Sequence, residues 1–69
     1  MESKQLNSTR IKKVSYYNDE KIMEIVFNDG KEYEYFNVPH NVYIGLVMAK
    51  SAGRFFNNYI RGKYKYERY

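Results

Sequence analysis

The segment Asn28-Asp29-Gly30, set between two runs of alternating residues, constrains this chain more than any other feature. Asn, Asp and Gly tolerate the backbone angles of a tight turn, so the segment predicts a hairpin. Before it, Lys21 to Phe27 places Met23, Ile25 and Phe27 on one face and Ile22, Glu24 and Val26 on the other. After it, Lys31 to Phe36 alternates Glu32, Tyr33, Glu34 and Tyr35. A two-residue loop at Asp29-Gly30 would oppose Phe27 to Glu32 and Ile25 to Glu34, burying carboxylates among apolar groups. A three-residue loop, Asn28 to Gly30, instead opposes Phe27 to Lys31, Ile25 to Tyr33 and Met23 to Tyr35. A one-residue slip flips every side chain to the other face, so burial selects the longer loop, with Gly30 at φ > 0 as a bulge. The expected core face is Met23, Ile25, Phe27, Tyr33 and Tyr35, backed by an acidic outer face of Glu24, Glu32 and Glu34.

The remaining elements follow from the hairpin outward. Residues 1–9 are polar apart from Met1 and Leu6 and read as a flexible N-terminal arm, leaving residues 10–69 as a single domain. Arg10 to Tyr17 carries the β-branched and aromatic residues of a first strand, although Val14/Tyr16 and Ile11/Tyr17 fall on opposite faces. Pro39 ends the sheet, since it cannot donate to a ladder but suits a helix start. From His40 to Lys50 the spacing of Val42, Leu46 and Ala49, flanked by Tyr43 and Val47, is that of an amphipathic helix. Ser51 is the expected N-cap of a second helix through Phe55, Phe56, Tyr59 and Ile60, closed before Gly62. One bent helix over 40–61 is the alternative. The fold class is therefore α+β: a three-stranded antiparallel meander packed on one bent or two short C-terminal helices (βββαα).

The chain of 69 residues has no Cys, which excludes disulfides and thiolate metal sites and points to a reducing, cytoplasmic compartment. No apolar run approaches the length of a membrane span, and the first residues lack the apolar core of a secretion signal. Its net charge of +4 is unevenly distributed. Lys4, Arg10, Lys12 and Lys13 outweigh Glu2 at the start. Six carboxylates outweigh Lys21, Lys31 and Lys50 in the middle. Arg54, Arg61, Lys63, Lys65 and Arg68 outweigh Glu67 at the end.

Beyond these patterns, the chain from Ser8 to Arg68 resembles the KTSC domain family. The resemblance rests on Ser8, Ile11, Val14 and Tyr16-Tyr17, then Met23-x-Ile25-x-Phe27, Gly30 and the Tyr33-Glu34-Tyr35 motif. It continues through Val38-Pro39, Val42-Tyr43, Leu46, Ala49, Ser51-x-Gly53, Phe55-Phe56-Asn57 and Ile60-Arg61. Such domains occur at the C-terminus of some lysyl-tRNA synthetases and as free-standing small proteins of bacteria and their phages. The resemblance thus implies RNA binding.

The residues best suited to an anionic partner lie in the C-terminal block. Arg54, Arg61, Lys63, Lys65 and Arg68 interleave with Tyr64, Tyr66 and Tyr69, combining phosphate contacts with stacking faces, while Asn57 and Asn58 offer hydrogen bonds to bases or sugars. If all five cations met one single strand, the salt slope would be about −3.5. Tyr33 and Tyr35 read as core residues rather than a stacking platform, because Glu32 and Glu34 beside them would repel phosphate. His40 is the only imidazole and reads as an exposed polar residue, so no metal centre is expected. Nor does any nucleophile–base pair or phosphate-binding loop indicate an enzyme. Ser51-Ala52-Gly53 between short helices also has the form of a DNA-reading helix-turn-helix, but serves better as the bend that returns Phe55, Phe56 and Ile60 to the sheet.

Two function classes follow. The first is a non-enzymatic nucleic-acid-binding module, RNA preferred, without a cofactor. The alternative is a small interaction protein that binds a protein partner or sequesters an anionic nucleotide-type ligand as an oligomer. Thirteen aromatics exceed what one small core buries, so a homo-oligomer, dimer or higher, is the expected state.

Overall fold

A computed structural model describes residues 1–69. The element order is β1 (Glu2–Gln5), β2 (Ile11–Tyr17), β3 (Ile22–Phe27), β4 (Glu32–Tyr35), α1 (His40–Met48), α2 (Ala52–Tyr59) and β5 (Tyr66–Arg68). The strands form one antiparallel sheet in sequence order. The helices are inserted between β4 and β5, which are themselves neighbours.

The hairpin has the expected register. Met23 pairs with Tyr35 and Ile25 with Tyr33. The Phe27 amide donates to the Lys31 carbonyl and the Gly30 amide to the Phe27 carbonyl, both at 2.9 Å. Gly30 takes φ 92°, the left-handed conformation that closes a three-residue loop. Met23, Ile25 and Tyr35 are buried, with Phe27 and Tyr33 half-buried against them.

The sheet has five strands, not three, and the two additions lie at its edges. Residues 2–5, expected in an arm, pair with β2 from Glu2↔Tyr16 to Gln5↔Lys13, and Leu6 packs against the core. The C-terminal tail supplies β5, with Tyr33↔Arg68 and Tyr35↔Tyr66. Both strands are short and polar, and their ladders are made by backbone groups that no side-chain pattern advertises. A bulge between Ile11 and Lys13 resolves the imperfect alternation of β2 by bringing Ile11 to the same face as Val14 and Tyr16.

Two helices form rather than one. Ala49 is extended at ψ 144° and ends α1, and the Ser51 hydroxyl accepts the Arg54 amide at 3.3 Å to cap α2. The buried face of α1 is Tyr43 and Leu46. Val42 and Ala49, expected there, are half-buried: Val42 packs at the margin of the core, and Ala49 lies beyond the helix as its extended C-cap. No helix is long and apolar enough to cross a membrane.

The helices are held over the sheet at one point above all. Tyr16, 1% exposed, donates its hydroxyl to the Val38 carbonyl at 2.6 Å, just before α1 begins. Its ring stacks on Tyr43 at 5.4 Å and tilts against His40 at 5.2 Å. His40 in turn lies 2.7 Å from Glu2 on β1. The Asn18 amide chiefly, and then His40, hold the Glu2 carboxyl below its ordinary value.

Tyr16→Phe leaves the buried Val38 carbonyl without its donor, so urea unfolding should show a loss of about 1–3 kcal/mol. At the turn, space around Gly30 is open, so only backbone strain penalises a side chain there. Gly30→Ala should cost about 1–2 kcal/mol, and Gly30→Asn measurably less, because Asn tolerates the left-handed region.

Candidate nucleic-acid interface

The helices cover only part of the inner face of the sheet. Beyond Phe56, over β4 and β5, lies an open groove of about 850 Å³. Its apolar lining is five rings: Phe27, Tyr33, Tyr35, Phe56 and Tyr66. Tyr33 is 5.5 Å from both Phe27 and Tyr66, and Tyr35 is 5.7 Å from Tyr66 and 5.9 Å from Phe56. These are edge-on and tilted spacings at which rings attract one another. Tyr66 is 56% exposed, so part of this aromatic floor faces water.

Three cations line the groove: Arg10, Lys31 and Arg61. The Arg10 guanidinium lies 5.9 Å from the Phe56 ring centroid. Its position comes from the loop before β2, where the Ser8 hydroxyl accepts the Arg10 and Ile11 amides at 3.1 and 3.2 Å. Asn28 pins the same loop, donating its side-chain amide to the Ser8 carbonyl and its backbone amide to the Arg10 carbonyl, each at 2.8 Å. Lys31 follows the turn on the Phe27 side, 3.9 Å from Asp29, the one carboxylate in the lining. Arg61 stands close enough to Tyr35 for its charge to act on that hydroxyl. Burial first, and then Tyr33 and Tyr66, push Tyr35 up to about 12, and Arg61 pulls the other way.

The residues singled out in the sequence do not form one patch. Arg61 and Tyr66 line the aromatic groove with Tyr33 and Tyr35. Arg68 pairs with Tyr33 across the ladder and so belongs to the same face, whereas the pleat sends Lys65 and Glu67 to the other. Tyr64 packs against the core, and Lys63 is exposed in the preceding turn. Arg54, Asn57 and Asn58 line a separate groove beside the N-terminal segment. Arg10 and Lys31 were missed. The signal for Lys31 was its pairing with Phe27, which had already placed it on the Tyr33 side.

The outer face of the sheet is acidic. Register places Glu24, Glu34 and Glu67 in one row across β3, β4 and β5. Hydroxyls of Tyr17 and Tyr69 donate to Glu24 and Glu34 at 3.3 and 2.7 Å. The pleat therefore segregates charge, with the carboxylate row on one side and the ring-lined groove on the other.

Comparison with known proteins agrees with this architecture. The sequence profile described as the KTSC domain matches residues 7–64. A lysine–tRNA ligase of Nostoc punctiforme is 44% identical over 57 residues, covering 83% of this chain and 10% of that protein. The chain thus spans about a tenth of the length of that relative. An uncharacterized protein of Stutzerimonas stutzeri is 34% identical over 64 residues, covering 91% of this chain and 90% of its own. The crystal structure of a KTSC domain protein from Yersinia pestis superposes with a TM-score of 0.90 at 32% identity, covering 99% of this chain and 96% of the other.

The Tyr35 shift gives a pH dependence with a definite sign. Below about pH 10 the residue is protonated in both the folded and unfolded states and stability is unaffected. Between there and about 12 the unfolded chain gives up a proton that the folded chain retains, so stability falls as pH rises. Urea midpoints measured from pH 8 to 11.5 should show this decline. Tyr35→Phe should make it shallower, leaving the part owed to Tyr69 and Tyr17, which Glu34 and Glu24 chiefly raise, and to Tyr16 and Tyr43, which burial raises.

Proposed function

This chain belongs to the KTSC domain family, and we propose that it is a non-enzymatic module that binds single-stranded RNA in the aromatic groove of its inner face. One observation carries the reading: five rings form a floor partly open to water, edged by Arg10, Lys31 and Arg61. Every base has a π face, so exposed rings hold single-stranded bases without reading sequence, and guanidinium and ammonium groups at their edge meet the phosphates. The likeness to a lysine–tRNA ligase supports RNA as the polymer, since that relative by its name acts on a tRNA. The carboxylate row lies on the opposite face, where it orients an approaching polyanion toward the groove.

In this reading Tyr66 and Tyr33 supply stacking surfaces, and Tyr35 underlies them as core. Arg61, Arg10, Lys31 and Arg68 neutralise phosphates. The C-terminal segment contributes through its strand face, with Tyr66 and Arg68 inward, rather than through every basic residue it carries.

Titration of a fluorescent oligouridylate by anisotropy tests the proposal. Tyr66→Ala should weaken binding by about 1–3 kcal/mol, the worth of one stacked base. Arg61→Ser should reduce the steepness of log affinity against log salt by about 0.7. Both side chains are exposed, so circular dichroism should be unchanged. Absence of binding by the unaltered protein, or affinity and salt slope in both variants unchanged from it, refutes the proposal.

A further inference from the structure

A second groove, about 800 Å³, runs between the segment Lys4–Arg10 and the corner where α1 meets α2. It is built differently from the first. Its charged residues are Lys4, Arg10, Lys50 and Arg54, and no carboxylate lines it. The two ion pairs in the structure, Lys31–Asp29 and His40–Glu2, involve none of these four cations. Asn57 and Asn58 supply exposed amide groups along the same wall. Four unneutralised cations facing one concavity repel each other and raise the local concentration of anions. No large exposed ring lines it, so its chemistry suits a phosphate chain rather than a base.

The two grooves are joined. Thr9 and Arg10 line both. Gly53 eases the close approach at the junction: a Cβ there would stand 3.1 Å from the Arg10 Cδ, tighter than an ordinary contact, so the bare backbone of α2 lets the Arg10 stem lie against it. The guanidinium then reaches Phe56 at the end of the aromatic floor.

We infer that the groove between Lys4–Arg10 and α2 is a phosphodiester-backbone site, holding the continuation of a single strand whose bases stack in the aromatic groove, with Arg10 at the crossing between them. The inference rests on the RNA reading above and extends it from a base-stacking pocket to a two-part track. The track also accounts for Arg54, Asn57 and Asn58, which the aromatic groove leaves unused.

The test compares two labelled oligouridylates, a 4-mer that the aromatic groove alone can hold and a 12-mer that can follow both grooves. The triple variant Lys4→Ser, Lys50→Ser, Arg54→Ser removes three exposed side chains that take part in neither ion pair. It should bind the 4-mer as the unaltered protein does and lose the advantage of the 12-mer. Its salt slope for the 12-mer should be shallower by about 2, from three phosphate contacts at about 0.7 each. Unchanged 12-mer affinity and slope in the triple variant, with weakened binding by Tyr66→Ala, overturns the second site and leaves the aromatic one standing. Loss of 12-mer binding in the triple variant with none in Tyr66→Ala supports the basic groove and overturns the aromatic one. Binding of neither oligomer by the unaltered protein overturns both.

Discussion

The hydrogen bond from the Tyr16 hydroxyl to the Val38 carbonyl decides where the helices lie. The Tyr16 ring is buried near the C-terminal end of β2, and the Val38 carbonyl lies in the crossover just before Pro39 and α1. A buried carbonyl left unpaired is costly, so the bond fixes the crossover over β2. Stacking of Tyr43 on the same ring then fixes the first turn of α1. With the helix pair set toward β2, α2 covers Tyr35 through Phe56 but leaves Tyr33 half-buried and Tyr66 exposed, and the chain returns as β5 to widen the sheet there. The open aromatic groove is thus a consequence of an off-centre anchor.

Charge is organised by the pleat. Glu24, Glu34 and Glu67 directly oppose one another, an arrangement that costs stability wherever it occurs in a sheet. It stands at a face open to water, with the Tyr17 and Tyr69 hydroxyls donating to two of the three carboxylates. Tyr69 is held protonated up to about 12, chiefly by that bond to Glu34. The modest net charge of +4 therefore hides a molecule with a carboxylate row on one face of the sheet and cations, of which only Lys31 is ion-paired, around the two grooves. Such a separation orients an approaching polyanion more than its sum would imply.

Much of this was legible in the residues. The hairpin register followed from which alternative kept carboxylates off the apolar face, and Gly30 followed from that register. Pro39 and Ser51 marked the helix starts, and the family resemblance rested on residues that here build the core, such as Ile11, Val14, Tyr35, Leu46 and Ile60. Other features were not legible. The polar residues Glu2–Gln5 and the three residues Tyr66–Arg68 become strands because neighbouring backbones offer unpaired groups, and no hydrophobic periodicity signals that. Ile11 appeared to face the wrong way because a bulge changes the parity of β2. The basic C-terminal block looked like one patch because its charges are close in sequence.

By itself, the sequence determined the hairpin, its register, the division of the sheet into an apolar and an acidic face, and the two helix starts. These follow from local rules: φ preferences, alternation, capping, and the cost of burying carboxylates. Only the tertiary structure decided which residues share a site. Strand parity split Tyr66 and Arg68 from Lys65 and Glu67, a loop held by Asn28 carried Arg10 to the rings, and the placement of the helices left Tyr66 exposed and Tyr33 half-buried. Each of these outcomes depends on contacts between segments distant in the chain, and periodicity within a segment carries no information about them.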